Sequence, residues 1–476
     1  MEADVTEPLW TSADAAAATA GEVRGHWQAN GVSIDSRSVE PGDLFVALAG
    51  PNFDGHQFVA AALQAGAAAA VVSERPTDVP DDAPLLLVGD TMVALQALGG
   101  AARSRTPARI AAITGSVGKT GTKEALRAAL KKDGVTHASA GNLNNQWGAP
   151  LSLARMPRDC AYGVFELGMN HAGEIAPLSR LVRPHVAIIT AIAPAHLAFF
   201  DSVAQIADAK AEIFVGLEPG GTAIINRDSE HFERLRSAAE RAGAGRVLSF
   251  GSHAEADARL LKLSAHATCS CMTAEIDGVT VTYKIGTPGR HWANNSLAVL
   301  AAVQALGADL GKAVLALASL TAPAGRGRRH RVRAPFGNFD LIDEAYNASP
   351  AAMRAAFEVL GGSKTHGRGR RIAVLGDMLE LGDTAETLHR ELAADLQRED
   401  IDLVLGCGPH TAALMAALPK RLRGAHAGDA DALLPLVLAN VRGGDVVLVK
   451  GSLGMQMAPI VAALLTLGGD AAAANG

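Results

Sequence analysis

The chain has 476 residues, of which 49% are apolar and 19% charged, and its formal net charge is −6. A chain of this length is too long for one compact core, and it is expected to form about three domains of ordinary soluble composition. The acidic balance argues against nucleic acid as the main partner, because nucleic-acid binding depends on neutralising phosphates with cations.

Cysteine content and the terminal segments indicate a reduced, cytoplasmic protein. The four cysteines are scattered and form no C-x-x-C pair, so neither a disulfide framework nor a zinc site is predicted. The first ten residues, MEADVTEPLW, are acidic, whereas a signal peptide begins with basic and then apolar residues. Apolar runs such as 314–320 and 460–468 are too short to span a membrane.

The first predicted domain, residues 1–107, is a small mixed α/β unit. Short β-forming runs and alanine-rich helical runs alternate, and a segment with Thr and Pro ends the unit as a linker. The predicted strands are 42–48, 68–73 and 85–90, the predicted helices are 58–66 and a segment that ends near 105, and the linker is 105–107.

The second predicted domain, residues 108–322, alternates strands with helices. Continuous apolar strands separated by helices of this length indicate a mainly parallel sheet with helices on both faces. Asp277 and Gly278 lie between β-forming residues and predict a hairpin, which would add an antiparallel edge. The predicted parallel strands are 110–115, 162–168, 186–192 and 221–226.

The third predicted domain, residues 323–476, resumes the alternation as a small Rossmann-like unit, and the low-complexity end 468–476 is expected to fray. The run 325–333 contains five arginines. We interpret it as a solvated face, and RNA binding is the rival interpretation. The predicted strands are 339–346, 371–378, 402–408 and 445–451.

A phosphate-binding loop is predicted at 114–120 (TGSVGKT), between a strand and a helix as such a loop requires. Backbone N–H groups at the glycines can turn toward phosphate oxygens, and the helix N-terminus adds partial positive charge. Lys119 is expected between the β- and γ-phosphates of ATP, with the Thr120 hydroxyl on Mg²⁺. The usual first glycine of this pattern is replaced by Ile113, so the loop is a shorter form, and a chance glycine-rich turn is the alternative.

The shortened loop is the form found in Mur ligases, and the chain resembles that family from Asp35 to Ser452. Eleven segments match in the same order, which makes the resemblance specific. They are IDSR (34–37), FDGHQFV (53–59), TGSVGKT (114–120), GNLNNQWGAPLSL (141–153), FELGMNHAGEI (165–175), PAHL (194–197), ADAKAEIF (207–214), GRH with NSLA (289–298), DEAYNASP (343–350), VLGDMLELG (374–382) and LVKGS (448–452).

Within the family, three of these segments resemble the members that add D-alanyl-D-alanine to UDP-N-acetylmuramoyl tripeptide. The resemblance implies an ATP-dependent ligase of peptidoglycan synthesis with these two small-molecule substrates, a monomer with no nucleic-acid partner. It implies a UDP-substrate domain at 1–107, an ATP domain at 108–322 and a closing domain at 323–476. Alternatives are another Mur ligase step, a folylpolyglutamate-synthetase-like ligase that lacks the first domain, and a nucleotide-binding module without catalysis.

The resemblance implies two Mg²⁺ sites. Glu166 would join Thr120 on one ion, and a solvated glutamate is the alternative. His196 would approach a second ion, although imidazole is an unusual ligand for magnesium and could instead bond a metal-bound water, a phosphate or the fold itself. Lys210 would be carbamylated by CO₂ to give a carboxylate-like metal ligand, whereas composition alone suggests a surface lysine.

The resemblance also assigns residues to ATP. Arg326 would reach the γ-phosphate when the last domain closes, and Asn295 would contact adenine. His291 is either a ligand or structural, and Trp292 stands where the family has Asn, so its contribution is undecided. The implied catalytic set is Lys119, Lys210, His196 and Arg326. The implied ATP set is Gly115, Ser116, Val117, Gly118, Lys119, Thr120, Gly121, His291, Asn295, Arg326, Asp343, Tyr346 and Asn347.

A last group is assigned to the UDP substrate. Positions in the first domain would hold the UDP moiety, and a cluster of asparagines would bond sugar or peptide, with stabilisation of their own loop as the alternative. Leu453 stands where the family has Arg, so no role of that arginine carries over. The implied substrate set is Ser36, Arg37, Asn52, Phe53, Asn142, Asn144 and Asn145.

Overall fold

The computed structural model of the chain describes residues 7–50, 53–194 and 197–469. Within these ranges the strands form three main sheets, one in each predicted domain, and helices cover them. The predicted α/β class is confirmed. Asn52 and His196, two of the predicted site residues, lie outside the described residues, as does the segment 470–476 of the tail.

The first sheet belongs to a small mixed unit. Its strand order is β2-β9-β8-β5-β4, with β2 antiparallel to β9 and the other pairs parallel. The elements are β1 (Trp10–Thr11), α1 (Ser12–Thr19), β2 (Glu22–Arg24), β3 (Gln28–Ala29), β4 (Gly31–Ser33), β5 (Asp43–Val46), β6 (Ala49–Gly50), β7 (Phe53–Asp54), α2 (Val59–Gln64), β8 (Ala69–Val72), β9 (Leu85–Leu87) and α3 (Thr91–Arg105).

The central sheet has nine strands in the order β11-β12-β10-β13-β14-β15-β16-β17-β18. The strands are parallel as far as β16, and β17 and β18 add an antiparallel edge. The elements are β10 (Arg109–Thr114), α4 (Lys119–Leu130), β11 (Thr136–Ala138), α5 (Gly148–Ala154), β12 (Tyr162–Glu166), α6 (Ile175–Val182), β13 (Val186–Ile189), α7 (Val203–Ala211), β14 (Thr222–Asn226), α8 (Phe232–Arg241), β15 (Arg246–Gly251), β16 (Ala258–Ala265), β17 (Ser270–Ile276), β18 (Val279–Ile285), α9 (Arg290–Ala305) and α10 (Leu310–Ala318).

The third sheet has the order β19-β20-β24-β21-β22-β23 and is parallel apart from β19. The carboxyl ends of β20, β24 and β21 therefore lie next to one another at one edge of this sheet. The elements are β19 (Arg328–Ala334), β20 (Gly337–Glu344), α11 (Pro350–Gly361), β21 (Arg371–Gly376), α12 (Ala385–Arg398), β22 (Leu403–Cys407), α13 (Pro409–Ala417), β23 (Arg423–Ala427), α14 (Ala430–Asn440), β24 (Val446–Lys450) and α15 (Ala458–Thr466).

Burial explains why the central strands differ in sequence. β12 and β13 are buried along their whole length, because helices pack on both faces of the parallel part. β17 alternates buried and half-buried residues, as expected for a strand with one covered face. The predicted hairpin is confirmed: Asp277 and Gly278 both have positive φ, at 49° and 80°, as a two-residue hairpin turn requires.

β19 is not among the predicted strands, because it lies inside the arginine-rich run. Val332 and Ala334 are buried, whereas Arg331 and Arg333 on either side of Val332 are exposed, and Arg331 pairs with Asp340 at 2.7 Å. Arginines occupy the outward positions of this strand and hide the two-residue alternation of its apolar face.

Helix α5 joins the first unit to the central one. Its Leu151 and Ala154 belong to the same buried cluster as Trp10. The Trp10 indole N–H donates to the Ala154 carbonyl at 2.9 Å, and the Arg155 guanidinium donates to the Val32 carbonyl at 2.5 Å. The carboxyl end of α5, a helix of the central unit, is therefore fixed to the first unit.

Two neighbouring glycines of α3 offer a matched test of this joint. A Cβ on Gly99 would lie 2.9 Å from the Pro150 carbonyl oxygen of α5, whereas one on Gly100 would lie 3.6 Å from the Leu181 side chain. In G100A the gain in helix propensity, about 1 kcal/mol, should raise the unfolding temperature. In G99A the backbone overlap, about 1–3 kcal/mol of strain, should lower it. Thermal unfolding of both variants checks this, and equal shifts would contradict the α3–α5 contact.

Candidate active site

The loop between β10 and α4 has the shape that its glycines permit. Gly115 and Gly118 have φ values of 149° and 88°, and a Cβ on Gly115 would overlap the Thr190 hydroxyl. The Ser116 N–H donates to the Ala191 carbonyl at 2.7 Å, and the Thr190 hydroxyl donates to the Val117 carbonyl at 2.6 Å. The end of β13 therefore holds the loop in place.

Thr120 and Glu166 are brought together at the carboxyl ends of β10 and β12. The Thr120 hydroxyl donates to Glu166 Oε2 at 2.7 Å, and Asn144 Nδ2 donates to Glu166 Oε1 at 2.8 Å. The Glu166 residue is 2% exposed. Lys119 Nζ donates to the Gly115 carbonyl at 2.7 Å, so its cation lies over the loop.

Two buried lysines at the site have lowered pKa values. Burial lowers the pKa of Lys119, Arg326 lowers it further, and Glu166 acts in the opposite direction. Lys210, at the end of α7, is 1% exposed. Burial lowers the pKa of Lys210 well below its usual range, and the charge on Lys119 adds to this. An amine in these surroundings favours its uncharged, nucleophilic form.

The donors near the loop suit magnesium better than a soft metal. Thr120 and Glu166 offer a hydroxyl and a carboxylate oxygen, and Mg²⁺ is usually held by one or two carboxylates with substrate phosphates and water. Within residues 7–50, 53–194 and 197–469, no three His, Cys, Asp or Glu side chains cluster closely enough to hold a metal by themselves. A complete shell would need phosphate oxygens from a nucleotide.

Helix α9 lies against the start of α4. A Cβ on Gly118 would lie 2.9 Å from Asn295 Nδ2, which places the predicted adenine contact beside the loop. Trp292 is 4% exposed, and its ring lies 2.9 Å from the position of a Cβ on Gly121. Trp292 is therefore a packing residue that covers the first turn of α4. Burial lowers the pKa of the His291 imidazole.

The third unit contributes Arg326. Its guanidinium stacks 4.1 Å from the centre of the Tyr346 ring. The Asp343 carboxylate accepts from the Gly325 N–H at 2.7 Å and so holds the turn that carries Arg326. The Asn347 side-chain oxygen accepts from the Ala348 N–H at 2.8 Å.

A buried ion pair fixes the end of β20 in the same region. Lys450 is 2% exposed and donates to Glu344 Oε2 and to the Asn347 carbonyl, both at 3.0 Å. Glu344 precedes the segment that carries Tyr346, so this pair orders the predicted ribose and base contacts. From the sequence, Lys450 is recognised only as part of the LVKGS segment and Glu344 only as part of DEAYNASP, and neither is given a role.

The predicted substrate residues make mostly local contacts. The Arg37 side chain is 87% exposed and bonds Asp35 at 2.6 Å, next to Ser36. Phe53 is 53% exposed in the β6–β7 hairpin. In the asparagine cluster, Asn142 is exposed, Asn144 contacts Glu166, and Asn145 accepts from the Gly148 N–H at 2.9 Å and caps α5.

Two residues near the site, Lys123 and Glu212, have no role assigned from the sequence. Lys123 is fully buried on α4, and Glu212 is the first residue after α7, two positions beyond Lys210. Glu212 accepts from the Gly173 N–H at 2.6 Å and from the Ile175 and Ala176 N–H groups at 3.1 Å. A charged residue three positions after Thr120, on the apolar face of α4, was the available signal for Lys123.

Family models match three consecutive parts of the chain. They are the Mur ligase family catalytic domain at residues 28–103, the Mur ligase middle domain at 113–303 and the Mur ligase glutamate ligase domain at 327–453. The UDP-N-acetylmuramoyl-tripeptide–D-alanyl-D-alanine ligase of Escherichia coli (strain K12) is 37% identical over 435 residues, 91% of this chain and 93% of that protein. The chain belongs to the Mur ligase family.

Solved structures agree with the assignment of this Mur ligase. The MurF structure from Acinetobacter baumannii superposes with a TM-score of 0.83 at 32% identity, over 97% of this chain and 99% of that one. The structure of the Thermotoga maritima MurF ligase in complex with ADP gives a TM-score of 0.77 at 27% identity, over 92% and 97%. Among the described residues of this Mur ligase, every helix is too short or too polar to cross a membrane.

The three N–H groups held by Glu212 generate a prediction. In E212A the N-terminus of α6 loses a carboxylate partner, and hydrogen bonds to charged groups contribute about 1.5–3 kcal/mol. We expect a lower free energy of unfolding, together with reduced turnover because the segment after Glu166 loosens. Denaturant unfolding measures the first effect. E230A, at a side chain that is 85% exposed, should change neither, and an unaltered E212A would contradict the capping role.

Proposed function

We propose that this Mur ligase joins D-alanyl-D-alanine to the terminal carboxylate of UDP-N-acetylmuramoyl tripeptide, with hydrolysis of ATP to ADP and phosphate. The observation that carries the proposal is the pairing of Thr120 with Glu166 at the ends of β10 and β12, beside the phosphate loop that bears Lys119. Lys119 is close enough to Arg326 and to Lys210 for their charges to interact. The likeness to the D-alanyl-D-alanine ligases over nearly the whole chain supports the choice of substrates.

Each unit has a part in the proposed reaction. Residues 1–107 hold the UDP moiety near Ser36, Arg37 and Phe53, and 108–322 bind ATP at the loop. Residues 323–476 close over the nucleotide through Arg326. This order is supported by the position of Arg326, whose charge acts on Lys119 although the two lie in different units.

Thr120 and Glu166 would hold a Mg²⁺ ion, and a carbamylated Lys210 would serve a second one. The low pKa of Lys210 supports carbamylation, because only the uncharged amine attacks CO₂. The carbamate would also place a negative charge near Lys119. When bound, Mg²⁺ supplies positive charge to phosphate oxygens.

The reaction proceeds in two steps. An oxygen of the tripeptide carboxylate attacks the γ-phosphorus of ATP, ADP leaves, and an acyl phosphate forms. The free amine of D-alanyl-D-alanine then attacks the acyl carbon, loses its proton, and inorganic phosphate leaves from the tetrahedral intermediate.

The protein's own groups make the first step possible. Two anions must approach each other, and the Lys119 ammonium and Arg326 guanidinium offset their repulsion as charge moves to the leaving oxygen. The acyl phosphate must be shielded from water, and closure of the third unit over the loop provides that shield.

A folylpolyglutamate-synthetase-like ligase is the second candidate, since it would share the loop and the metal residues. The first unit argues against it, because the family model of residues 28–103 matches a part that such a ligase lacks. A binding module without catalysis would have no use for the buried Lys210.

ADP release measured with the tripeptide precursor, with D-alanyl-D-alanine, with both and with neither tests the proposal. Release should require both substrates, because the acyl phosphate is consumed only by the amine. K119A should abolish it, whereas K131A, at an exposed lysine after the same helix, should retain it. Release with glutamate and a folate, or no release with both precursors, would overturn the proposal.

Lys210 gives a separate prediction. K210A should lose most activity, and a short added carboxylate such as acetate should restore part of it by replacing the carbamate. K262A, at an exposed lysine of β16, should behave as the unmodified protein with and without acetate. Initial rates at matched chloride concentration check this, and a fully active K210A would contradict the assigned role.

A further inference from the structure

Helix α4 carries a second buried lysine that the proposed mechanism does not use. Lys123 is 0% exposed, and its Nζ lies 2.7 Å from the Ser139 carbonyl oxygen and 3.1 Å from that of Gly141. The third neighbour is Glu124 Oε1 at 3.1 Å. An ammonium has three N–H donors, so these three acceptors satisfy it completely.

Such a group is costly to bury, because removing an ammonium from water carries a penalty of several kcal/mol unless partners replace the water. Its partners here are two carbonyls of one loop, residues 139–141, and a carboxylate on its own helix. Lys123 therefore ties the segment after β11 to the helix that begins at the phosphate loop.

The segment tied by Lys123 leads directly to Glu166. The Ser139 N–H donates to the Val164 carbonyl at 3.0 Å, and the Ser139 hydroxyl accepts from the Glu166 N–H at 3.1 Å. Further along the same segment, Asn144 donates its side-chain amide to Glu166 Oε1 at 2.8 Å. The Asn144 carbonyl accepts from the Gly168 N–H at 2.8 Å, and this hydrogen bond holds Asn144 beside the end of β12.

The Glu166 carboxylate is consequently held from two sides. Thr120, on α4, bonds one oxygen, and Asn144, on the segment 139–145, bonds the other. Lys123 lies three residues after Thr120, on the same face of α4, and connects the two sides. The distance between the two donors depends on this connection.

We propose that Lys123 is a positioning residue, which sets the orientation of the Glu166 carboxylate by fixing the Asn144 segment to α4. The inference rests on the proposed function, in which Glu166 holds Mg²⁺. Lys123 touches neither substrate nor metal. It acts through Ser139 and Asn144, as outer partners of metal ligands do.

K123M removes the charge and keeps a side chain of similar length. The loop carbonyls then lose their donor and Asn144 shifts, whereas Thr120 and the phosphate loop stay on α4. Loss of an outer partner weakens metal binding about 10- to 100-fold, so the Mg²⁺ concentration for half-maximal rate should rise by about tenfold or more. The KM for ATP at saturating Mg²⁺ should change less than about twofold, because its phosphate contacts remain.

A measurement without turnover is the rise in unfolding temperature that ADP causes, with and without Mg²⁺. In the unmodified protein Mg²⁺ should add to the rise caused by ADP. In K123M the rise with ADP alone should persist and the Mg²⁺ increment should be lost. K132M, the same change at an exposed lysine just beyond α4, should keep both, and K123R, which retains a cation, should recover part of the increment.

The outcomes separate the inference from the proposed function. If the unmodified protein shows no Mg²⁺ increment, the metal role of Glu166 fails, and the inference with it. Suppose the unmodified protein shows the Mg²⁺ increment. If K123M keeps that increment, or if K123M loses the ADP rise and the Mg²⁺ increment equally, Lys123 does not position Glu166. Should K123M not fold, N144A acts on the same carboxylate directly. A raised Mg²⁺ requirement in N144A supports the inference, and an unchanged one overturns it.

Discussion

The site is organised around one buried carboxylate among several cations. Glu166 is the partner of Thr120 and Asn144 and partly balances the charge of Lys119, while Arg326 adds positive charge near Lys119. A low-dielectric pocket strengthens every one of these interactions. The arrangement suits a reaction in which two anions approach each other, since the excess positive charge is in place before they arrive.

The fold supplies this arrangement through the ordinary geometry of parallel sheets. β10 and β12 are neighbours, so Thr120 and Glu166, which follow or end these strands, lie at one edge. β13 lies on the other side of β10 and holds the phosphate loop through Thr190. Lys119, Thr120 and Glu166 thus follow from strand ends, whereas Lys210 and Asn295 come from helices α7 and α9.

The sequence predicted the parts of the site that have local signals. The phosphate loop, the alternating strands and helices and the Asp277–Gly278 hairpin follow from patterns within a few residues, and all are found in the structure. Lys210 could be assigned only by resemblance, because a lysine in an alanine-rich helix has no local mark of burial. The contacts of Lys123 and of the Lys450–Glu344 pair could not be predicted, because their partners are 16 and 106 residues away along the chain.

Helix α5 has a consequence for how the chain can be divided. Its Leu151 and Ala154 complete the core that contains Trp10, and Arg103 of α3 donates to the Val182 carbonyl at 2.8 Å. A fragment that stopped at the linker after α3 would leave an apolar face in water and lose these partners. The boundary visible in the sequence is therefore not a boundary of cooperative unfolding, and the first two units should melt as a single structural block.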